Sequence, residues 1–333
     1  MVRVLSDDAV ADCLDLADLL AVVREAFVKQ GRGEVERPDR PHFPVGAGLD
    51  GTGNSADGPH GTGLVMPAYV HGADHYATKL VGVHEGNAER GLPTVNAQIA
   101  LMKAETGLPA SYMAGTRITN ARTGCIGGLA ATELADESPV ALGILGAGTQ
   151  ARWQARAIAA ATDLESVRVF SPSDSKAACA TDLREELGLP ADAVEPADSP
   201  EEAVSGANVV VTATTATEPV FPGAALDPGT LVVAVGAYSA ELREVDSKTF
   251  ARAARTFADV PAEVAEIGDV LESGVEQQDL TPFSEVLEGR AGRESADEII
   301  VVESVGTAVL DAASAEHVYE QAESRGIGID VGL

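Results

Sequence analysis

The stretch Pro139-Val140-Ala141-Leu142-Gly143-Ile144-Leu145-Gly146-Ala147-Gly148-Thr149-Gln150-Ala151-Arg152 decides how this chain is read. A short apolar run, Val140 to Leu145, ends at Gly146-Ala147-Gly148, and a helix-favouring segment with Trp153 and Ile158 follows. Gly146, Gly148 and Ala151 fill the G-x-G-x-x-[GA] spacing of a dinucleotide site. Gly146 permits the sharp turn, Gly148 leaves no Cβ to hold off a pyrophosphate, and Ala151 lets the helix lie close on the strand. The helix N-terminus then offers unpaired N–H groups to phosphate. A tight strand-to-helix turn without a ligand would use the same glycines. Here the motif sits between a buried-type strand and a helix, and more strand/helix alternation follows, which favours the dinucleotide.

Working outward, composition limits the class. At 333 residues the chain is long enough for two domains with their own cores. Hydrophobic residues make up 45%, yet no apolar run reaches the ~20 residues of a membrane span. The opening Met1-Val2-Arg3-Val4-Leu5-Ser6-Asp7-Asp8 has no apolar signal core, so a cytoplasmic enzyme is expected. Cys13, Cys125 and Cys179 lie far apart without metal spacing, which fits a reducing compartment.

Charge narrows the partners. Asp and Glu number 52 against 23 Lys and Arg, a net charge of −29, and only five of the basic residues are lysines. The acids are spread over helix faces instead of gathered in a tail, so no disordered acidic arm is expected. A carboxylate surface poor in lysine points to adaptation to high salt over an ordinary acidic protein, because screening suppresses the self-repulsion. No basic stripe is available to neutralise phosphates, so nucleic acid is disfavoured and not expected as a partner.

In chain order, residues 6–30 read as one helix, with Leu16, Leu19, Leu20, Val23 and Phe27 on one face and Gly31 as its stop. Residues 35–41 are extended and stiffened by prolines. Residues 46–63 hold seven glycines and are expected to lack regular structure. Strands are expected over 64–69 and 76–81; in the second, Ala77, Lys79 and Val81 share an inward face. A hairpin joins 95–102 to 110–113. His71 and His75 flank Gly72 without a third ligand, so they read as loop histidines and no metal site is expected. Residues 116–134 form a helix rich in small residues, able to let another backbone or a ligand approach closely, and it carries Arg117 and Arg122. Strands at 167–170, 208–213, 231–235, 256–259 and 299–304 complete the nucleotide domain, and a helix over 308–324 closes the chain.

Ordered signatures then carry a resemblance. Met66-Pro67-Ala68-Tyr69, Thr78-Lys79, Gly91-Leu92-Pro93-Thr94, Thr119-Asn120-Ala121-Arg122-Thr123, Gly146-Ala147-Gly148-Thr149-Gln150-Ala151, Thr212-Ala213-Thr214-Thr215 and Glu303-Ser304-Val305-Gly306 occur in that sequence. In this order the chain resembles the ornithine cyclodeaminase/mu-crystallin family over nearly its whole length. The family includes ornithine cyclodeaminases, archaeal alanine dehydrogenases, cyclic ketimine reductases and a hormone-binding lens protein. The resemblance implies an α/β chain: a Rossmann-type doubly wound sheet domain over 126–304, plus an α+β substrate and dimerisation domain over 1–125 completed by 305–333. It also implies a homodimer.

A nicotinamide needs a carbon that gains or loses hydride, and an imine or α-amino acid supplies one. The substrate carboxylate calls for arginine, whose planar fork matches two oxygens. By resemblance Arg122 binds that carboxylate, Arg40 is the second anchor with Arg37 as its rival, and Thr94 helps position substrate or cofactor. Lys79 matches the active-site lysine; near two arginines in a desolvated pocket its pKa would fall, making it a usable acid/base. An ion-paired arginine and a sheet-edge lysine are the ordinary alternatives. Gly146, Gly148, Thr149, Gln150, Ser171 and Ser173 are the expected cofactor contacts, and the resemblance implies Thr214, Gly236 and Ser304 as further ones. The cofactor is NAD or NADP: an acid that would hold the ribose diol is missing from Ser171-Pro172-Ser173, while Asp174 and Lys176 follow closely.

One departure matters. Ornithine-deaminating members carry an Asp just after a late strand-end Gly, whereas this chain reads Val235-Gly236-Ala237-Tyr238. The expected function is therefore NAD(P)-dependent oxidoreduction at the α-carbon of a small imino or amino acid, of ketimine reductase, pyrroline-2-carboxylate reductase or alanine dehydrogenase type. Ornithine cyclodeamination and non-catalytic dinucleotide-dependent ligand binding are the alternatives.

Overall fold

Two hydrophobic patterns in the sequence produce two different sheets. In chain order the strands are β1 (Val2–Leu5), β2 (Val35–Glu36), β3 (His42–Val45), β4 (Gly61–Val70), β5 (His75–Val83), β6 (Val95–Lys103), β7 (Pro109–Ala114), β8 (Val140–Leu145), β9 (Leu164–Phe170), β10 (Val194–Pro196), β11 (Val209–Thr212), β12 (Leu231–Ala234), β13 (Ala253–Ala258), β14 (Leu280–Pro282), β15 (Ile299–Glu303) and β16 (Ile329–Val331). The computed structural model describes residues 1–47, 59–190 and 192–332. It divides into one unit of Met1–Asp15, Arg32–Thr119 and Ala308–Leu333, and another of Leu16–Gly31 and Asn120–Thr307. These units differ from the expected 1–125 with 305–333 and 126–304 chiefly in the helix Leu16–Gly31, which groups with the nucleotide-type unit.

The first unit holds the sheet β16-β1-β7-β6-β5-β4-β2, with β3 also on β4. Its strands alternate, so one face is buried: Ala77, Lys79 and Val81 on β5, and Ala97, Ile99 and Leu101 on β6. The helix Ala308–Arg325 covers β4, β5 and β6 on that face. The opposite face carries a row in register, Thr78, Ala100, Tyr112, Val4 and Ile329. Leu80, Tyr112 and Ile329 on this side are exposed by 53%, 43% and 70%, far more than their apolar groups would be in a core.

The second unit is a parallel sheet in the order β10-β9-β8-β11-β12-β15-β13-β14. Its central strands are buried on both faces and read as unbroken apolar runs: Val209 to Val211, Leu231 to Val233 and Ile300 to Val302 are 0% exposed. Strand order reverses at β8, with β9 on one side and β11 on the other. That reversal is where a doubly wound sheet opens its ligand crevice. The carboxyl ends line up as one row, Leu145, Thr212, Ala234, Glu303 and Ala258. The small residues of the helix Gly115–Leu134 serve close packing on the helix Thr149–Ala161. A Cβ on Gly124 would lie 2.5 Å from the Trp153 carbonyl, and one on Gly128 2.8 Å from that of Ala157.

Three expectations are corrected. The helix over 6–30 is two helices, Asp7–Cys13 and Leu16–Gly31, because Leu14 is extended (φ −105°, ψ 117°). The second helix sets Phe27 edge-on against Phe283, 5.5 Å between ring centres. Within 46–63, residues 61–63 are strand and pair with β3, a strand the sequence did not suggest; 48–58 lie outside the described residues. Their side chains are too small to show alternation. His75 opens β5 instead of lying in a loop, with Nδ1 2.9 Å from the Glu316 carboxylate. The short strands β10 and β14 also escaped detection, being three residues each and ending in proline.

Candidate active site

The glycine turn has the conformation its sequence asks for. Gly146 has φ +116°, and a Cβ there would lie 2.5 Å from the Ala213 carbonyl oxygen. Gly148 is the N-cap of Thr149–Ala161 and supplies no side-chain cap. A Cβ on Gly148 would meet nothing within 4 Å. A free helix N-terminus facing open space fits a pyrophosphate. Arg152 stiffens the turn from within: Nη1 donates to the Ala147 and Gly148 carbonyls at 2.7 and 3.2 Å, while Nε and Nη2 grip Asp182. Thr149 stays exposed. Gln150, an expected cofactor contact, donates from Nε2 to Asn120 Oδ1 at 2.9 Å.

At the end of β9, Ser171, Ser173 and Ser175 gather their hydroxyls within 2.7–3.4 Å of one another. Lys176 Nζ donates to the Ala197 carbonyl at 2.6 Å, and Asp174 is the N-cap of Ser175–Leu187 without a side-chain capping bond. Thr214 and Gly236 lie on the loops leaving β11 and β12, and both donate backbone N–H groups to Glu244. Ser304, an expected cofactor contact, follows β15 directly. Its hydroxyl is 3% exposed and donates to Asp259 Oδ2 at 2.7 Å. Asp259 also accepts from the Val260, Val305 and Gly306 N–H groups, and so shapes the turn after β15.

Lys79 faces inward from β5, as its alternation with Ala77 and Val81 predicts. Its Nζ lies 2.5 Å from Asp311 Oδ2, and the two side chains are 2% and 1% exposed. The Asp311 carboxylate stands against the ammonium, a partner the expectation did not include, and it offsets the cost of burying that charge. Asp311 was missed because its partner is 232 positions away and its own surroundings read as ordinary helix. Arg40 and Arg37 are both half-buried on the irregular stretch between β2 and β3 of the same unit. Thr94 is half-buried just before β6, and its carbonyl accepts from the His84 N–H. Arg122, 5% exposed, belongs to the other unit, where Nη1 donates to Thr123 Oγ1 at 2.6 Å. Gly306, at φ +77°, passes so close that a Cβ would lie 2.9 Å from Arg122 Nη1. That contact explains the glycine of Glu303-Ser304-Val305-Gly306.

Glu244 and Asp269 are the other residues sequence reasoning did not place. Burial and the neighbouring Asp269 push the Glu244 carboxyl up to about 7, and burial pushes Asp269 up to about 6. Glu303 is raised well above the carboxylate range by burial, then by Asp269, Glu244 and Asp259. Among the described residues no cluster of His, Cys, Asp or Glu could hold a metal ion, and no helix is long and apolar enough to cross a membrane.

A doubly wound sheet with a phosphate-ready turn at its reversal point, in a chain with a buried, carboxylate-held lysine, defines the class of pyridine-dinucleotide oxidoreductases. Residues 2–326 match the model of the ornithine cyclodeaminase/mu-crystallin family, and the chain belongs to that family. It is an NAD(P)-dependent oxidoreductase of this family. It is 35% identical to a delta(1)-pyrroline-2-carboxylate reductase of Bacillus cereus over 275 residues, 80% of this chain and 83% of the relative. Alanine dehydrogenase of Archaeoglobus fulgidus is 31% identical over 333 residues, 98% of this chain and 96% of that protein. Among solved structures, delta(1)-pyrroline-2-carboxylate reductase of Thermococcus litoralis, in complex with NADH and L-proline, superposes with a TM-score of 0.91. The identity there is 29%, covering 99% of this chain and 100% of that one.

Proposed function

We propose that this enzyme reduces a small α-imino acid, with delta(1)-pyrroline-2-carboxylate as the leading candidate, and runs the reverse oxidation of the amino acid. The observation that carries this reading is the buried Lys79–Asp311 pair. The dinucleotide, when bound, supplies a hydride to Cα or accepts one from it. Lys79 holds a proton at Nζ and gives it to the imine nitrogen; the C=N π bond opens as a C–H and an N–H bond form. Asp311 is a positioning residue that keeps the ammonium charged and aimed until solvent restores the proton. Arg122 and Arg40, with Arg37 as its rival, are the proposed carboxylate anchors, and Thr94 a positioning contact. The phosphate contacts are Gly146, Gly148, Thr149 and Gln150; Ser171 and Ser173 face the adenosine ribose.

Ornithine cyclodeamination needs a base after the oxidation step, and a carboxylate suits it near neutral pH. Here Tyr238 stands in that stretch, Glu241 is exposed, and Glu244 is tied to three donors. NAD(P)H oxidation followed with pyrroline-2-carboxylate, and with pyruvate plus ammonia, is the test. Dinucleotide consumption with an imine is expected and proline from ornithine is not; Lys79-dependent proline formation from ornithine would overturn the assignment.

The exposed row through Tyr112, Val4 and Ile329 supports a homodimer formed across that sheet face, and an archaeal alanine dehydrogenase neighbour is described as a dimer. Sedimentation that shows a monomer unaffected by Tyr112→Glu would remove this proposal. The acidic surface supports a cytoplasm of high salt as the working environment.

A further inference from the structure

The crevice of a doubly wound sheet has two sides. With the pyrophosphate at the turn after β8 and the adenosine ribose at the end of β9, the loops after β11 and β12 are left for the nicotinamide half. Those loops carry Thr214 and Gly236. One side chain ties both of them. Glu244, 0% exposed, accepts from Thr214 N–H at Oε1 (2.5 Å) and from Gly236 N–H at Oε2 (2.8 Å). Oε2 also accepts from Thr212 Oγ1 at 3.0 Å. The loops are pressed together at this point: a Cβ on Gly236 would lie 2.3 Å from the Thr214 carbonyl oxygen and 2.6 Å from the Glu244 carboxyl.

Glu244 is in turn held from behind, because Asp269 Oδ1 accepts from the backbone N–H groups of Glu244 and Val245 at 2.6 and 2.7 Å. Glu303 occupies the strand-end row of Thr212, two strands away, with neither oxygen hydrogen-bonded among the described residues. A fully buried acid among other acids is costly and is not what packing alone would select. Only a carboxylate has acceptor capacity for three converging donors at this spot.

We propose that Glu244 is a positioning residue that fixes the β11 and β12 loops for the nicotinamide half of the dinucleotide, so that cofactor affinity depends on it more than imino-acid affinity does. This rests on the dinucleotide reading given above. Glu244→Gln keeps the shape but turns an NH2 group toward N–H or O–H donors, so one or both loops must move.

Direct titration of NADH and NADPH into the wild-type protein and Glu244→Gln, followed by nicotinamide fluorescence, is the test. The dinucleotide Kd of the variant should rise ~10-fold or more, the scale of one lost charge-assisted hydrogen bond. The imino-acid KM at saturating dinucleotide should move far less, and Glu244→Asp should recover part of the loss. Thr212→Val, which removes one donor and leaves the backbone contacts, should raise Kd by about 2- to 5-fold. A folded Glu244→Gln with unchanged Kd overturns the proposal, as does a rise in KM that matches the rise in Kd. If Glu244→Gln does not fold, an unchanged Kd in Thr212→Val overturns it equally. A wild-type protein that binds dinucleotide but turns over no imine would instead sink the imino-acid reading and leave the clamp standing.

Discussion

Two groups of buried ionisable side chains among the described residues are treated in opposite ways. On the first sheet, Lys79 and Asp311 are opposite charges set 2.5 Å apart, so each offsets the other's loss of water. At the carboxyl ends of the parallel sheet, Glu244, Asp269, Glu303 and Asp259 are all acids, and backbone N–H groups compensate the three that accept hydrogen bonds. A nest of acids shares its burden by protonation, which makes it sensitive to pH. The first arrangement keeps one ammonium in place on the sheet; the second suits a scaffold whose stiffness is set by hydrogen bonding.

The largest expected effect comes from breaking the opposite-charge pair. Lys79→Ala should lower turnover ~10²–10⁴-fold, the usual worth of a positioned proton donor. It should also destabilise the fold by ~3–5 kcal/mol, since Asp311 is left buried alone. Dinucleotide Kd should not change. Lys79→Met with Asp311→Leu should recover most of the stability and none of the activity, as urea melts and initial rates would show. A double variant no more stable than Lys79→Ala would mean the pair is more than a matched charge.

The acid nest predicts a pH effect of known sign. The Glu244 carboxyl sits at about 7 in the fold, above its ordinary 4.5. The folded state therefore binds this proton more tightly, and the stabilisation is complete below pH 4.5 and lost as pH rises through about 7. The shift corresponds to roughly 3 kcal/mol. Asp269, raised from 3.8 to about 6, adds in the same direction between those limits. Chemical denaturation of wild type and Glu244→Gln between pH 5 and 8 checks this: the variant should show a flatter dependence. Equal slopes would remove Glu244 from the linkage.

Smaller effects separate anchoring from chemistry. Arg122→Lys should raise the imino-acid KM by the loss of a bidentate contact, ~1–3 kcal/mol, with kcat less affected. An unchanged KM would move the carboxylate anchor to Arg40 or Arg37. Last, the thermal midpoint should rise with added salt as the net charge of −29 is screened. A midpoint independent of salt would contradict the high-salt reading.

Much of the fold was legible because it is written locally. The run 140–151 contains strand, turn and helix in consecutive residues, and the structure places β8 at the expected residues. Lys79 could be called inward-facing from a period of two alone. Where local signals were weak, the reading slipped: Leu14 interrupts a continuous apolar stripe, Gly61 and Gly63 hide a strand, and β10 and β14 are too short to show a period.

By itself the sequence determined the strand–turn–helix at 140–151, the inward lysine and the absence of a carboxylate just after Gly236, because each depends on neighbours within a few residues. Only the tertiary structure decided that Asp311 faces Lys79, that Asp259 takes up Ser304, and that Glu244 ties Thr212, Thr214 and Gly236 together. The carboxyl partners in these contacts lie 232, 45 and 8–32 positions from the groups they meet. In a chain with 52 acidic residues, nothing in composition or period marks which few will be buried. Burial and hydrogen-bond geometry select them, and these exist only once the sheets have formed.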